Sequence, residues 1–354
     1  MFWIYGFYVM TPRKPKSENS IVDIARALGI SPATVSRALN NNLRISEATR
    51  VRVKEMAKEM GYRHNSMASS LRNRRSNTIG LIVPRISMYF HAFFITSLQR
   101  QLQAAGYNLM ICQSNDSVKL EKELANSLYS ARVDALVVSL TLYTEDISHF
   151  EGFVKQGIPL VFYDRVPAEG TPSYVIKGDD YRGGLLAGNH LVGAGCQRIA
   201  YVSGPLSCSI YHERTRGFMD ALAKQDVALR KEWVYHHELT MENAWNSLRK
   251  LFDGHDVPDG LFAANDTTAI AAVEFARERA IRIPEDLRII GYSNDPRTSI
   301  ITPSITSIEQ YPHEMADKVA ETLIDALQQP VSGSSVSIGD PVVCPVDLVR
   351  RMTT

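Results

Sequence analysis

Arg37 is the residue in this sequence whose type and setting most directly suggest chemistry. It lies in the stretch SPATVSRALN, where Ser31 can cap a helix and Pro32 fills the first helical position at no hydrogen-bonding cost. On that helix Pro32, Ala33, Ser36 and Arg37 form the outward face, while Val35, Ala38 and Leu39 point inward. The positive end of the helix dipole suits a polyanion. A guanidinium beside it can pair bidentately with guanine O6 and N7, a contact worth roughly 1–3 kcal/mol of base discrimination. Thr34, Ser36, Asn40 and Thr49 are short polar groups suited to phosphate contacts, which set register without reading sequence. An arginine at random is more often a solvated surface charge. The surrounding helices decide for base reading here.

Other chemistry is poorly represented. The chain has no G-x-S-x-G elbow, no phosphate-binding G-x-x-x-x-G-K-[ST], no G-x-G-x-x-G after its first strand and no H-E-x-x-H. Asp179 and Asp180 precede a helix and read as a helix start rather than a catalytic carboxylate pair. His236 and His237 are neighbours in a strand-like run, where alternate side chains face opposite ways, so they do not share a metal easily. The four cysteines (Cys112, Cys196, Cys208, Cys344) are scattered and read as reduced core thiols. No catalytic residue, cofactor or metal is expected.

The elements that position Arg37 are three short helices. Ser20 opens the first, with Ile21, Ile24, Ala25 and Leu28 at helical spacing, and Gly29 ends it where a positive φ turns the corner. Ser46 opens the third, which Gly61 stops. This is a helix-turn-helix domain over residues 20–64. Charge agrees: Thr11 to Ser76 holds 14 Lys/Arg against 5 Asp/Glu, a local +9, whereas the whole 354-residue chain is only +1. A basic head therefore sits on an acidic body.

Residues 1–19 read as an extended lead-in. The opening MFWIYGFYVM lacks a basic n-region and a cleavage site, and Met10 is the expected initiator. No apolar run approaches the roughly 20 residues of a membrane span, so a cytoplasmic protein with no membrane partner is expected. From Thr78 the texture becomes α/β. The runs TIGLIVP, YNLMIC, VDALVVS, IPLVFY, RIAYVSG, PDGLFAA and LRIIGY are continuously apolar, as in parallel strands buried on both faces. They form two sets of βαβ units, hence two similar lobes.

VDIARALGISPATVSRALN resembles the helix-turn-helix signature of the LacI/GalR family of bacterial repressors, and NSMASSLR resembles that family's hinge helix. The likeness runs from about Ser20 through almost the whole chain. It implies a hinge over residues 65–76, beginning at Asn65, in which Ala68 and Leu71 share a face and Leu71 wedges into the operator's minor groove. It also implies a core over 77–354 with the periplasmic-binding-protein fold. One lobe would take about 77–178 and 309–339, the other about 179–308 and 340–354. Ligand would sit between them at the carboxyl ends of the strands. Tyr89 and Phe90 after the first strand could stack on a ring, or could simply anchor the next helix. Asp164 could accept hydroxyl hydrogen bonds, or cap a loop. Arg214 in IYHERTRGF matches the family's ligand-clamping arginine, and Asn265 in FAANDTTA matches a residue reaching the cleft, with Asp266 mainly a helix cap. GYSNDPR departs from the family's GYDD or GYDN: Ser293, followed by Asn294, replaces a carboxylate. Arg214 is then less balanced by negative charge, which leans mildly toward an anionic effector such as a sugar acid or sugar phosphate.

The resemblance further implies a homodimer on a pseudo-palindromic operator, double-stranded, with ligand-driven lobe movement deciding whether the paired hinges can order. Met315, Val319, Leu323 and Ile324 form a helical stripe that fits either the dimer face or the core. An enzyme and an exported sugar receptor are the competing readings. The first lacks motifs; the second has no use for residues 20–75.

Overall fold

The structure is a computed structural model that describes residues 19–62, 76–167, 173–328 and 339–354. The chain divides into two compact units, residues 1–74 and 75–354.

In the first unit, helix α1 (Ile21–Leu28) opens with a reciprocal capping box between Ser20 and Asp23 and closes on Gly29 at φ +65°. Helix α2 (Pro32–Leu39) is capped by Ser31, whose hydroxyl accepts from the Thr34 amide, and α3 (Glu47–Glu59) is capped by Ser46 in the same way. Ile24, Ala25, Val35, Ala38, Val53 and Ala57 meet in a small core. With so few buried side chains, the caps carry a large share of the local stability, each typically worth about 1 kcal/mol.

The second unit holds two six-stranded sheets. The first has the order β11-β5-β4-β3-β1-β2 and is parallel throughout. Its strands are β1 (Thr78–Val83), β2 (Asn108–Gln113), β3 (Ala135–Val138), β4 (Leu160–Tyr163), β5 (Tyr174–Gly178) and β11 (Val342–Cys344). The second has the order β12-β10-β9-β8-β6-β7 and is parallel except for β12. It comprises β6 (Ile199–Ser203), β7 (Val234–His236), β8 (Gly260–Ala263), β9 (Arg288–Tyr292), β10 (Thr306–Glu309) and β12 (Asp347–Val349). The chain passes between the sheets after β5, after β10 and after β11.

The last crossing comes later than the sequence suggests. Val342–Cys344 still pairs with Ile176–Gly178 at the edge of the first sheet, so the return to the second lobe falls between Cys344 and Asp347, not at residue 340. The stripe on the helix Pro312–Gln328 is also resolved: Met315, Val319 and Leu323 are fully buried in the core of the first lobe, and only Ile324 is partly exposed. That stripe is core, not dimer face.

The second lobe is built around a close helix pair, Asp180–Gly193 and Ser209–Ala223. A Cβ on Gly184 would lie 2.1 Å from the Arg214 carbonyl oxygen, and one on Gly217 would lie 1.9 Å from that of Tyr181. Only glycine permits this approach, and it fixes Arg214 against the start of the neighbouring helix.

Candidate functional site

On the first unit Arg37 is exposed, and its side chain makes no hydrogen bond or ion pair with any described residue. Pro32, Ala33 and Asn40 are exposed beside it, and the Asn40 amide donates to the Ser36 carbonyl at 2.8 Å. Thr34 and Thr49 are half-buried, with their hydroxyls 2.9 and 2.8 Å from the capping Ser31 and Ser46. Ser36 differs from expectation: it is 9% exposed. The eight-residue helix packs against both α1 and α3, so its covered stripe is wider than an amphipathic pattern suggests. Asn65, Ala68 and Leu71 lie outside the described residues.

Between the two sheets of the second unit is a cavity of about 290 Å³ lined from both lobes. The first lobe contributes Arg85, Tyr89, Phe90, Asp116 and Arg165; the second contributes Tyr211, Glu238, Thr240, Asn265, Asp266, Tyr292, Ser293, Asp295 and Arg297. Most follow the carboxyl end of a strand, where an α/β sheet offers free backbone groups and helix N-termini. Tyr89 starts the helix Tyr89–Ala104 and is half-buried, while Phe90 is 5% exposed and stacks on Phe94.

Arg165 donates to Asp116 at 2.6 Å, and its buried Nε has no acceptor among the described residues. Asp116 also accepts from the Leu142 amide at 3.2 Å and from Arg85 Nε at 3.2 Å. Arg85 reaches across to Glu238 of the second lobe at 2.5 Å. Arg297 grips Asp295 through two hydrogen bonds of 3.0 and 2.6 Å, which hold the Asp295 carboxyl below its ordinary range against the cost of burial.

Four expected ligand residues therefore meet at the cavity: Tyr89, Phe90, Asn265 and Ser293. Three do not line it. Asp164 turns back at φ +57° and is buried near His91 and Ser139, leaving Arg165 at the wall. Asn294 is held by Glu309 and Arg351. Arg214 is 2% exposed, behind Tyr211 and Tyr292. Its Nε donates to Asp180 at 2.8 Å and another nitrogen to the Ala264 carbonyl at 2.9 Å, and its guanidinium lies 3.6 Å from the Tyr292 ring centroid. Its counter-charge is thus Asp180, and the inference of an anionic ligand from an unbalanced Arg214 loses its premise. At the next helix Asn265 is the cap, accepting from the Thr268 amide at 2.9 Å, while Asp266 is buried, accepts from Ser307 and the Asp295 amide, and lines the cavity.

Residues 20–65 match the sequence pattern of bacterial regulatory proteins of the lacI family, and residues 189–354 match a periplasmic binding protein-like domain. The transcriptional regulator DegA of Bacillus subtilis is 31% identical over 299 residues, covering 84% of this chain and 88% of that one. The chain belongs to the LacI family. The ribose operon repressor of the same organism is 30% identical over 336 residues, covering 95% of this chain and 98% of its own. A crystal structure of the lac repressor dimer bound to operator and an anti-inducer superposes with a TM-score of 0.83 at 23% identity, covering 95% of this chain and 99% of that one. The two-lobed fold and the helix-turn-helix are those of this family of transcriptional regulators.

In this LacI-family chain sequence patterns miss Arg85, Asp116 and Glu238 at the cavity and mark Asp180 only as a helix start. Arg85, Asp116 and Glu238 lie two or three residues past the ends of β1, β2 and β7, so strand-end inspection of every strand finds all three. Asp180 was visible as half of an Asp-Asp pair; only the tertiary fold reveals that Asp179 takes the cap and Asp180 the arginine.

Buried Asp164 gives a pH prediction. Burial pushes its carboxyl up to about 6, while the Arg165 charge opposes the shift. The folded chain therefore holds this proton where the unfolded chain has released it. The stabilisation is fully present below the unfolded value near 4 and is lost as pH rises to about 6. Asp164→Asn removes that dependence, and asparagine tolerates the positive φ. The variant is expected to gain on the parent between pH 4 and 6, by up to about 3 kcal/mol, and to hold that gain above pH 6. Urea unfolding of both proteins across pH 4.5–7.5 checks it; parallel pH profiles would contradict it.

Proposed function

We propose that this LacI-family chain is a cytoplasmic, homodimeric repressor. It binds a pseudo-palindromic operator through α2 and is switched by a sugar or sugar derivative held between its lobes. The cavity walled by strand ends of both sheets carries this reading, because a ligand touching both lobes necessarily favours one lobe arrangement over another. Aromatic rings of Tyr89 and Tyr211 offer faces for a ring's apolar side, while Asn265, Ser293 and Thr240 offer polar partners for hydroxyls. Arg37 supports operator reading because it is exposed, with no hydrogen bond or ion pair from its side chain among the described residues, at the helix that would enter the major groove. The names of the relatives, a ribose operon repressor among them, support repression and a sugar-related ligand.

The test uses the full chain. Selection from random duplexes defines the operator, and a thermal-shift panel of sugars, sugar acids, sugar phosphates and nucleobases defines the ligand. A panel member that raises the melting temperature should also change operator affinity by about 5–150-fold. Stabilisation with no change in operator binding would sink the allosteric reading.

The hinge supplies a separate prediction. Leu71→Ala should reduce operator bending, because inserting an apolar side chain between base steps is what offsets the cost of the kink. Phased-bend electrophoresis measures it. A variant that bends DNA as fully as the parent removes Leu71 from the wedge role.

A further inference from the structure

An unbroken chain of charges runs along the cavity wall: Arg165 to Asp116 at 2.6 Å, Asp116 to Arg85 at 3.2 Å, Arg85 to Glu238 at 2.5 Å. Three of its members belong to the first lobe and Glu238 to the second, and all four line the cavity. The third guanidinium of the wall, Arg297, is held by Asp295. Every arginine lining the cavity thus already has a carboxylate, and Asp266 adds a fourth acid against three arginines. A carboxylate or phosphate entering this space meets a wall with more acids than arginines and has to share each cation with a carboxylate already bound to it. A tethered group acts at an effective concentration in the millimolar range or above, which a free anion has to exceed. Uncharged hydroxyls face no such competition, since each guanidinium has five N–H donors and each carboxylate keeps further lone pairs.

We propose that the cavity takes an uncharged, hydroxyl-bearing ring, and that Glu238 determines this specificity by occupying Arg85 and so excluding anionic ligands. This rests on the reading of the cavity as the effector site. It also reverses the preference for an acid or phosphate that the sequence suggests at Ser293.

The test uses full-length protein and does not need the effector. Inorganic phosphate is titrated by calorimetry at fixed ionic strength into the parent, Glu238→Gln, and the double variant Arg85→Met/Glu238→Gln. Glu238 and Arg85 are 33% and 41% exposed, so neither change opens the core. The proposal expects phosphate affinity to rise about tenfold in Glu238→Gln and the gain to vanish in the double variant. Equal phosphate binding by parent and Glu238→Gln overturns it, as does a gain that survives in the double variant. A matched panel of aldoses, aldonates and aldose phosphates then separates the two levels. An aldonate or aldose phosphate as the strongest stabiliser of the parent overturns the charge selection but leaves the cavity reading standing. Silence from every member overturns both.

Discussion

Arg37→Ala is expected to abolish operator preference while leaving weak, strongly salt-dependent binding to any duplex. The residue is exposed on α2 and its side chain makes no hydrogen bond or ion pair with a described residue, so the change leaves the three-helix core of Ile24, Val35 and Val53 intact. What it removes is a bidentate donor to a base edge, roughly 1–3 kcal/mol per half-site. In a dimer on a two-fold operator both half-sites lose it. The exposed basic residues Arg52, Lys54 and Lys58 remain on α3, so sequence-independent attraction to phosphates and its steep salt slope are expected to persist. Anisotropy titrations with the selected operator and a scrambled duplex at several salt concentrations measure both quantities. The ratio of the two affinities should collapse toward one, with the slope against salt nearly unchanged. A retained ratio would move base reading to another residue.

The local code of this chain was readable because it is written in caps and periodicity. Ser20, Ser31, Ser46 and Gly29 mark helix boundaries by single-residue chemistry, and all four act as their types suggest. Of the seven long apolar runs, β1, β3, β4, β6, β8 and β9 are buried strands, with little room for polar residues, while β2 is an edge strand with Asn108 and Met110 exposed despite its apolar run. The strands that escaped, β5, β10, β11 and β12, are three to five residues long, and three of them mix polar with apolar positions. The site was half legible. The family resemblance and the strand ends it points to located Tyr89, Phe90, Asn265 and Ser293, but a sequence does not say which neighbour turns into the cleft. At 164–165 the arginine lines it instead of the aspartate; at 265–266 both do. Pairing was not legible at all. Arg214 and Asp180 are 34 residues apart, and Asp180 and Tyr292 are 112 apart, so no local pattern joins them.

That pairing governs the largest stability effect expected in the molecule. Asp180 Oδ1 accepts from Arg214 at 2.8 Å and from the Tyr292 hydroxyl at 3.0 Å, with all three residues buried. Removing one partner leaves the other charge in the core without compensation, which costs about 3–5 kcal/mol. Asp180→Asn and Arg214→Met should each lower unfolding free energy by that order. The double variant should cost less than the sum of the two, because neither charge is then stranded. Urea unfolding of the four proteins gives the coupling. Ligand response distinguishes this role from a clamp. If Arg214 acts through the packing of Tyr211 and Tyr292, the single variants lose stability first and ligand affinity only in proportion to the cavity's disorder. Were Arg214→Met to keep full stability while losing all response to ligand, the arginine would have to reach the cavity directly. Its place behind the two tyrosines, within a helix contact that depends on Gly184 and Gly217, argues for the first outcome.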